Sequence, residues 1–402
     1  MGFAKLLALY AAAFCTLLVG WVLNVTQLYW MGCVLVLAPI VSRAVGRYES
    51  RGLILSREIA RSGHQGDRIP VRFRAQNLLF LPKLSLTLSD QLPRGLRRVE
   101  LDGTPLALVP RGFGEASYEL HLALRGLHSI PAVELRTTDA LGLAESVTEL
   151  ALPTEVLVYP RIVDLPPHIV PDSGGGGRAP ILAARKQGEG GSFLGVREYR
   201  PGDPLRHVHW RTAARLGQLA VVEFETEESL DALIAIETQE GSEVDLGNGT
   251  TLDLAAGVAA SLAAHILSSG DSVRLLAPGM GSMPSGGSTG SESLANILDT
   301  LARMKAVSGA PLSDTLLQTA GSLPGGMLVC WLTPRVDAST VAALRVLRGL
   351  GLRPVLYALG LRGGASTAVA AELNGYLNEV SGAHIPVIRI PADDPIVARL
   401  LS

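Results

Sequence analysis

The first 45 residues are almost entirely apolar and fall into two runs. Residues 6–23 carry no charged side chain, and a second apolar run covers residues 28–41 after the polar break at residues 24–27. Each run approaches the roughly 20 residues that a helix needs to cross a hydrocarbon core of about 30 Å. Tyr29 and Trp30 lie beside the break, where interfacial aromatic residues are common. The pattern predicts a two-helix transmembrane hairpin over residues 1–47.

Basic residues flank both ends of this hairpin, and its turn carries no charge. Lys5 precedes the first run, whereas Arg43, Arg47 and Arg51 follow the second. Because positive flanks stay in the cytoplasm, both ends are expected on that side. A cleaved signal peptide is the alternative, since Lys5 precedes an apolar stretch, but a second apolar run follows at once and no small-residue cleavage site is evident.

The pattern changes to short alternating segments between residues 52 and 160. Apolar and polar positions alternate at residues 69–75, 84–88, 117–124 and 132–136, with Pro, Gly and Asp between them. Such spacing favours a small antiparallel β-sandwich. Residues 161–184 contain four consecutive glycines and are predicted to be a Gly-rich linker; they lack the Lys-Ser/Thr that a phosphate-binding loop requires.

From residue 229 to 402, apolar strands alternate with helical patterns. Strands are predicted at residues 233–236, 273–276, 327–332, 354–358 and 385–390, and helices at 254–267, 292–304, 339–350, 367–376 and 395–401. Alternation of this kind is typical of a doubly wound α/β domain with a parallel sheet. The fold class is therefore a multidomain chain: helical hairpin, β-sandwich, then α/β.

Composition narrows the functional classes. Of the 402 residues, 48% are hydrophobic, and the formal net charge is −2, so the chain favours packed cores and gives no general case for binding nucleic acid. The three cysteines show no zinc-ligand spacing. No cofactor is predicted.

Residues 185–228 form an Arg-rich motif that holds the candidate functional residues; its first part, residues 185–215, carries seven Lys or Arg and three Asp or Glu and is locally basic. The candidate residues are Phe193, Gly195, Arg197, Tyr199, Gly202, Asp203, Arg206, Trp210, Arg211 and Arg215. In a structural interpretation, Asp203 caps a turn, and arginines of the segment pair with carboxylates such as Glu223. In a second, Trp210 and Tyr199 anchor a partner protein. In a third, the segment binds an anion or catalyses a reaction.

His207 and His209 could form a metal pair, but no third ligand lies nearby. No nucleophile and base can be paired, so the sequence assigns no catalytic residue and leaves enzymatic activity undecided.

On these residues, with the Pro201-Gly202-Asp203 turn and Trp210-Arg211, the chain resembles the bacterial membrane-protein family known as domain of unknown function 58. An upstream Arg125-Gly126 and the run at residues 139–143 resemble its second signature, with Ala140 where proline is usual. The layout of hairpin, β-domain and α/β domain follows that of the family, and with the charges around the hairpin it predicts a multi-pass protein of the bacterial plasma membrane with cytoplasmic domains. The resemblance implies a MoxR-type AAA+ ATPase or a transglutaminase-like membrane protein as partner.

The same resemblance implies a C-terminal domain similar to von Willebrand factor A. Metal-binding versions carry Asp-x-Ser-x-Ser after the first strand, because those oxygens suit Mg²⁺. Here Glu237, Gln239 and Gly241 occupy these positions, which predicts a degenerate site without metal. The expected function is a membrane-anchored scaffold or adaptor that docks partner proteins. A hydrolase or a nucleotide- or anion-binding enzyme using the Arg-rich segment is the alternative.

Overall fold

The structure is a computed structural model that describes residues 2–49, 51–99, 103–138, 145–170, 187–199, 208–225, 231–278, 291–361 and 367–401. The chain divides into two compact units, Met1–Tyr159 (unit 1) and Pro160–Ser402 (unit 2). The predicted multidomain, mixed helix and sheet architecture with N-terminal helices and several sheets is confirmed.

Unit 1 begins with two helices that pack on each other, α1 (Gly2–Leu23) and α2 (Thr26–Glu49). The connection turns at Asn24, which has a left-handed φ of 54°. The helices approach closely at Gly32, where an added Cβ would clash with the side chain of Leu17. Their outer surface exposes large apolar side chains, among them Trp21 and Trp30, each 72% exposed.

The two N-terminal helices contain apolar stretches at Leu7–Leu23 and Thr26–Ser42. In the described part of the chain, only the helix Thr251–Ser268 meets the length and hydropathy expected of a membrane span, and 72% of it is buried inside unit 2. Its burial is that of a core helix.

The rest of unit 1 consists of two packed sheets. The first has the order β1-β3-β7-β5, with strands β1 (Leu53–Glu58), β3 (Arg68–Asn77), β7 (Phe113–Leu122) and β5 (Leu96–Arg98). The second has the order β2-β9-β8-β4-β6, with strands β2 (Ser62–His64), β9 (Glu145–Tyr159), β8 (Gly126–Thr138), β4 (Lys83–Asp90) and β6 (Thr104–Leu108).

Both sheets contribute to one apolar core. Phe73 and Leu120 of the first sheet and Leu88 and Val133 of the second have no exposed surface and belong to the same cluster. The alternating pattern therefore buries one face of each strand, as the sequence predicts. Among the described strands of unit 1, pairing is antiparallel, as predicted, except between β2 and β9, which run parallel.

Unit 2 contains a parallel sheet of order β13-β12-β14-β15-β16. Its strands are β12 (Asp231–Ile236), β13 (Ser272–Leu276), β14 (Leu328–Thr333), β15 (Arg353–Leu361) and β16 (Val387–Pro391). Its helices are α4 (Thr251–Ser268), α5 (Ser291–Arg303), α6 (Leu312–Ala320), α7 (Ala338–Gly349), α8 (Thr367–Gly382) and α9 (Pro395–Leu401). The predicted alternation is confirmed, and α6 is a helix that the sequence pattern did not reveal.

The strand order reverses between β12 and β14. The connection from β12 leads outward through α4 to β13, whereas β14 continues toward β15 and β16 on the other side. In sheets of this type, a crevice opens at the carboxyl ends of the two strands that flank the reversal. The residues after β12 and after β14 therefore line a second candidate site, besides the Arg-rich segment.

The beginning of the predicted linker is attached to unit 2. The backbone N–H of Val163 donates to Ser261 Oγ (3.1 Å), and the Tyr357 hydroxyl donates to the carbonyl of Ile169 (2.9 Å). Ile169 is completely buried. The four glycines lie outside the described residues.

Candidate functional site

The Arg-rich segment forms a small structure of its own on unit 2. Strands β10 (Gln187–Glu198) and β11 (Ala220–Glu225) pair antiparallel as a separate two-stranded sheet. The register between the two strands shifts between Gly188 and Phe193 and again between Phe193 and Gly195. The pairing is therefore irregular in the first part of β10. Strand β11 carries two acidic residues, Glu223 and Glu225.

The chain then returns along the other side of β11. Val208 bridges Val221, which also pairs with Arg197 of β10, and the backbone N–H of His209 donates to the carbonyl of Ala220 (2.8 Å). Strand β11 is therefore flanked on both sides, and residues 208–209 lead directly into helix α3 (Trp210–Leu216).

Helix α3 is short and is closed at both ends. His209 Nδ1 accepts a hydrogen bond from the backbone N–H of Thr212 (3.3 Å) and lies 2.7 Å from its hydroxyl, so the imidazole caps the N-terminus. Gly217 ends the helix in a left-handed conformation with φ of 68° and donates to the carbonyl of Ala213. Glycine suits this position because a side chain would be strained there.

Helix α3 exposes one aromatic residue and two basic ones. Trp210 is 65% exposed, and Arg211 and Arg215 are exposed on the same short helix. Ala213 is buried and faces the unit. Among the described residues, no carboxylate lies within ion-pair distance of either arginine. We call Trp210, Arg211 and Arg215 the α3 surface.

The structure places only part of the predicted site. Phe193, Gly195 and Arg197 lie on β10, and the backbone N–H of Tyr199 donates to the carbonyl of Leu219 (2.8 Å). Gly202, Asp203, Arg206 and His207 lie outside the described residues. The proposed capping by Asp203 and the pairing of Arg206 therefore stay predictions, as does any ion pair of the Arg197 or Glu223 side chain.

A second polar site occupies the crevice after β12. Glu237 Oε1 accepts from the backbone N–H of Gln239 (3.1 Å), and its Oε2 accepts from the backbone N–H of Leu312 (3.3 Å) at the start of α6. Pro311, the residue before this helix, provides no side-chain cap. Glu237 therefore caps α6 from a distant part of the chain, where a carboxylate also opposes the positive end of the helix dipole.

The neighbouring residues are also occupied by internal hydrogen bonds. The buried Thr238 hydroxyl donates to the carbonyl of Pro278 (2.7 Å), and Gln239 forms a bridge with Val307. A cleft of about 140 Å³ borders them. Burial raises the pKa of Glu237, although the hydrogen bonds from backbone N–H groups oppose the rise.

These residues do not fit a divalent cation. Gln239 and Gly241 lack the hydroxyl groups of the metal-binding pattern, and Gly241 has a left-handed φ of 83°, at which serine would be strained. The carboxylate of Glu237 is already committed to the two N–H groups. Within the described ranges, no cluster of three His, Cys, Asp or Glu side chains is arranged to hold a metal.

Two of these structural roles, both of them helix caps, could not be predicted from the sequence. His209 caps a helix, although serine, threonine, aspartate and asparagine are the usual capping residues. A histidine three residues before Thr212 therefore does not predict a helix start. Glu237 caps a helix 75 residues away, which no local pattern reveals. By contrast, the cap of α9 is local: the carboxylate of Asp394, the residue before Pro395, accepts from the N–H of Ile396 (2.9 Å).

Residues 195–321 match the family described as "Protein of unknown function DUF58". A Bacillus subtilis protein, the uncharacterized protein YeaD, is 30% identical over 198 residues, which are 47% of this chain and 49% of YeaD. The chain thus matches about half the length of this curated relative. The family resemblance seen in the Arg-rich segment is confirmed over the matched residues.

Solved structures show only distant likeness. The match to the cupredoxin domain of amoB from Nitrosocaldus yellowstonii covers 29% of this chain and 92% of that domain. The sequence identity is 10% and the TM-score is 0.20. The GAE domain of GGA2p from Saccharomyces cerevisiae covers 26% of this chain with 91% of its own length, at 15% identity and a TM-score of 0.19. Scores this low carry no argument about fold or function.

Proposed function

We propose that this protein is a membrane-anchored adaptor whose two units face the cytoplasm and whose α3 surface docks a partner protein. The observation that carries the proposal is the exposure of Trp210 together with Arg211 and Arg215 on one short helix. Trp and Arg are enriched among the residues that dominate binding energy, because both combine a large contact area with specific polar contacts. A helix capped at both ends presents them with little loss of conformational freedom on binding.

The N-terminal helices support the anchor. Trp21 and Trp30 lie on either side of the α1–α2 turn and are largely exposed, together with Phe14 and other apolar side chains. Such a surface is unfavourable in water and favourable in lipid, and tryptophan is enriched at membrane interfaces. The positive charges of Arg43 and Arg47 favour a cytoplasmic location for everything that follows.

The order of the parallel sheet supports a C-terminal domain similar to von Willebrand factor A. In this proposal Glu237 occupies the first position of the degenerate metal site and caps α6 instead of binding an ion. The crevice would then be part of the scaffold, and docking would depend on the α3 surface. The proposed partner is a MoxR-type AAA+ ATPase or a transglutaminase-like membrane protein, because the family resemblance implies such partners.

The test uses the full-length chain in lipid nanodiscs and a purified MoxR-type ATPase from the same cell. Trp210→Ala and Arg211→Ala are each expected to weaken binding by about 2 kcal/mol, roughly 30-fold in Kd, as for other dominant interface residues. Val346→Ala, a truncation at an exposed apolar position on α7 of the same unit, is the matched control and is expected to leave Kd unchanged. Equal affinities for the parent, Trp210→Ala and Arg211→Ala would overturn the proposed surface.

A further inference from the structure

Unit 1 exposes a group of large apolar side chains at the end where helix α2 joins the sheets. Two loops, between β3 and β4 and between β6 and β7, supply most of them, and Phe80 and Phe113 are 71% and 75% exposed. The remaining members are more than one-third exposed as well. We call this group the apolar rim; it consists of Ile54, Leu78, Phe80, Leu81, Val109 and Phe113.

Hydrogen bonds hold the rim against the end of α2. The backbone N–H of Leu81 donates to the hydroxyl of Tyr48 in the last turn of the helix (3.1 Å). The N–H of Leu78 donates to the carbonyl of Gly52 (2.9 Å), just before β1. The second loop is joined to the first, because the N–H of Arg111 donates to the carbonyl of Leu79 (3.0 Å). The two loops and the helix end therefore form one structure.

Lys83 makes this junction rigid. Its side chain is fully buried, and its ammonium donates to the carbonyls of Tyr48 (3.1 Å) and Arg51 (2.7 Å). It also lies 5.2 Å from the centroid of the Tyr48 ring. A buried cation at the carboxyl end of a helix opposes the negative end of the helix dipole. Because Lys83 belongs to β4, the helix cannot swivel against the sheets without exposing an unpaired charge.

The outer face of the first sheet is apolar only at this end. The row of paired residues nearest α2 is Ile54, Gln76 and Phe113. The next row is Ser56, Arg74 and Glu115, where the Arg74 guanidinium pairs with Glu115 (2.9 Å). The row after that is Glu58, Arg72 and Ser117. Polarity thus rises with distance from α2, as it does across a membrane interface.

We infer that the apolar rim inserts into the phospholipid surface next to the anchor, so that unit 1 lies on the membrane. This inference rests on the proposed anchoring by α1 and α2. The apolar stretch of α2 ends at Ser42, and Tyr48 lies six residues further, about 9 Å at the helical rise of 1.5 Å per residue. The rim therefore reaches the headgroup region of the same leaflet.

The chemistry of the rim fits a lipid headgroup. The Arg111 guanidinium lies 3.9 Å from the centroid of the Phe80 ring. This arrangement combines an aromatic ring, which prefers the boundary between headgroups and acyl chains, with a cation that anionic phosphates attract. A second protein or a second copy of the chain could also bind an apolar surface. The continuity of the rim with the apolar helix favours lipid.

The test places a fluorescent thiol label at three positions of the full-length chain in vesicles of zwitterionic and anionic phospholipids. Cys330 stays in place, since it is fully buried and burial raises the pKa of its thiol to about 12. The first label is on native Cys33, in α2, with Cys15→Ala. The second is on Phe80→Cys and the third on Arg72→Cys, both with Cys15→Ala and Cys33→Ala.

Nitroxide-labelled lipids then report the depth of each label. A label on Cys33, near the middle of the apolar stretch of α2, is expected to lose most of its emission to mid-chain nitroxides. The Phe80→Cys label is expected to be quenched by headgroup-level nitroxides and shielded from aqueous iodide. The Arg72→Cys label, on the same sheet but in the polar rows, is expected to be quenched by iodide alone.

The outcomes separate the inference from the anchor. Lipid quenching at Cys33 with a Phe80→Cys label that behaves like the Arg72→Cys label would overturn the lipid contact and leave the anchor standing. A Phe80→Cys label shielded from iodide but not quenched by lipid would assign the rim to a protein contact. Absence of lipid quenching at Cys33 would overturn the anchor and the inference together.

Discussion

The guanidinium of Arg57 on β1 is ion-paired with the carboxylate of Asp90 on β4, across the two sheets of unit 1, and neither side chain has any exposed surface. Arg57 also donates to the carbonyl of Leu152 (2.8 Å) and to the hydroxyl of Thr154 (3.0 Å). The hydroxyl of Tyr118 donates to the same carboxylate. Burial raises the pKa of Asp90, and the hydrogen bonds from Tyr118 and Arg57 oppose that rise.

Removing one partner of this pair should therefore destabilise unit 1 strongly. Asp90→Ala leaves a buried cation without its anion, and such losses cost about 3–5 kcal/mol. The full-length chain in detergent is expected to melt well below the parent. Arg74→Ala, on the neighbouring strand, removes an exposed cation that pairs with Glu58 and Glu115, and should change the melting temperature little. Similar shifts for both variants would contradict the structural role of the buried pair.

Lys83 should be required for the junction between α2 and the sheets. Lys83→Met keeps the length of the side chain but removes the ammonium that donates to the carbonyls of Tyr48 and Arg51; the Tyr48 carbonyl still accepts from the N–H of Arg51. A buried group left unsatisfied costs about 1–3 kcal/mol. We expect a lower melting temperature and faster proteolysis at the junction. Lys305→Met, at an exposed position of unit 2, is the control. An unchanged cleavage rate in Lys83→Met would show that the lysine does not hold the junction.

Two tryptophans test whether the α3 surface is available for docking. Trp210 is 65% exposed, whereas Trp331 on β14 is 1% exposed in the core of unit 2. Trp331→Ala should cost about 3–5 kcal/mol, as expected for the loss of a large buried side chain. Trp210→Ala should leave the melting temperature of the full-length chain almost unchanged. A large loss of stability in Trp210→Ala would favour the structural interpretation of the Arg-rich segment.

The contribution of Glu237, in the crevice after β12, to the stability of unit 2 should depend on pH. Burial raises the pKa of Glu237 above its usual 4.5, so the native state binds this proton more tightly than the unfolded chain does. The group therefore favours folding most at low pH, and its contribution is lost as pH rises from about 4.5 through the folded-state pKa. Relative to Glu237→Gln, the parent should become less stable across that range. Glu240→Gln, at an exposed neighbour, should track the parent.

Millimolar Mg²⁺ or Mn²⁺ should not raise the melting temperature of the full-length chain. A ligand present at about 100 times its Kd would stabilise the native state by about 2.7 kcal/mol. A clear upward shift that disappears in Glu237→Gln would show that the crevice binds a cation after all.

The orientation of the anchor can be measured with reporter fusions at Ser402. The charge distribution around Arg43, Arg47 and Arg51 predicts a cytoplasmic C-terminus. A fluorescent protein fused there should therefore be bright, and a periplasmic phosphatase should be inactive. High phosphatase activity would overturn the orientation.

The sequence by itself determined the features that depend on near neighbours. The two apolar runs, the alternation of residues 69–75 and the repeated strand and helix pattern after residue 229 were all legible, because side-chain periodicity within an element reports which face is buried. The Arg-rich segment was legible as a motif, and the family match includes most of it.

Only the tertiary structure decided which distant residues meet. Arg57 and Asp90 are 33 positions apart, Glu237 and Leu312 are 75 apart, and Lys83 reaches Tyr48 over 35 positions. The apolar rim likewise draws on two separate loops and on the first residues of strands, and the exposed side chain of Phe80 or Phe113 alone would not indicate it. Such contacts depend on strand order, on register and on the packing of one sheet against another. These are set by the free energy of the whole fold, so a local pattern of residues does not encode them.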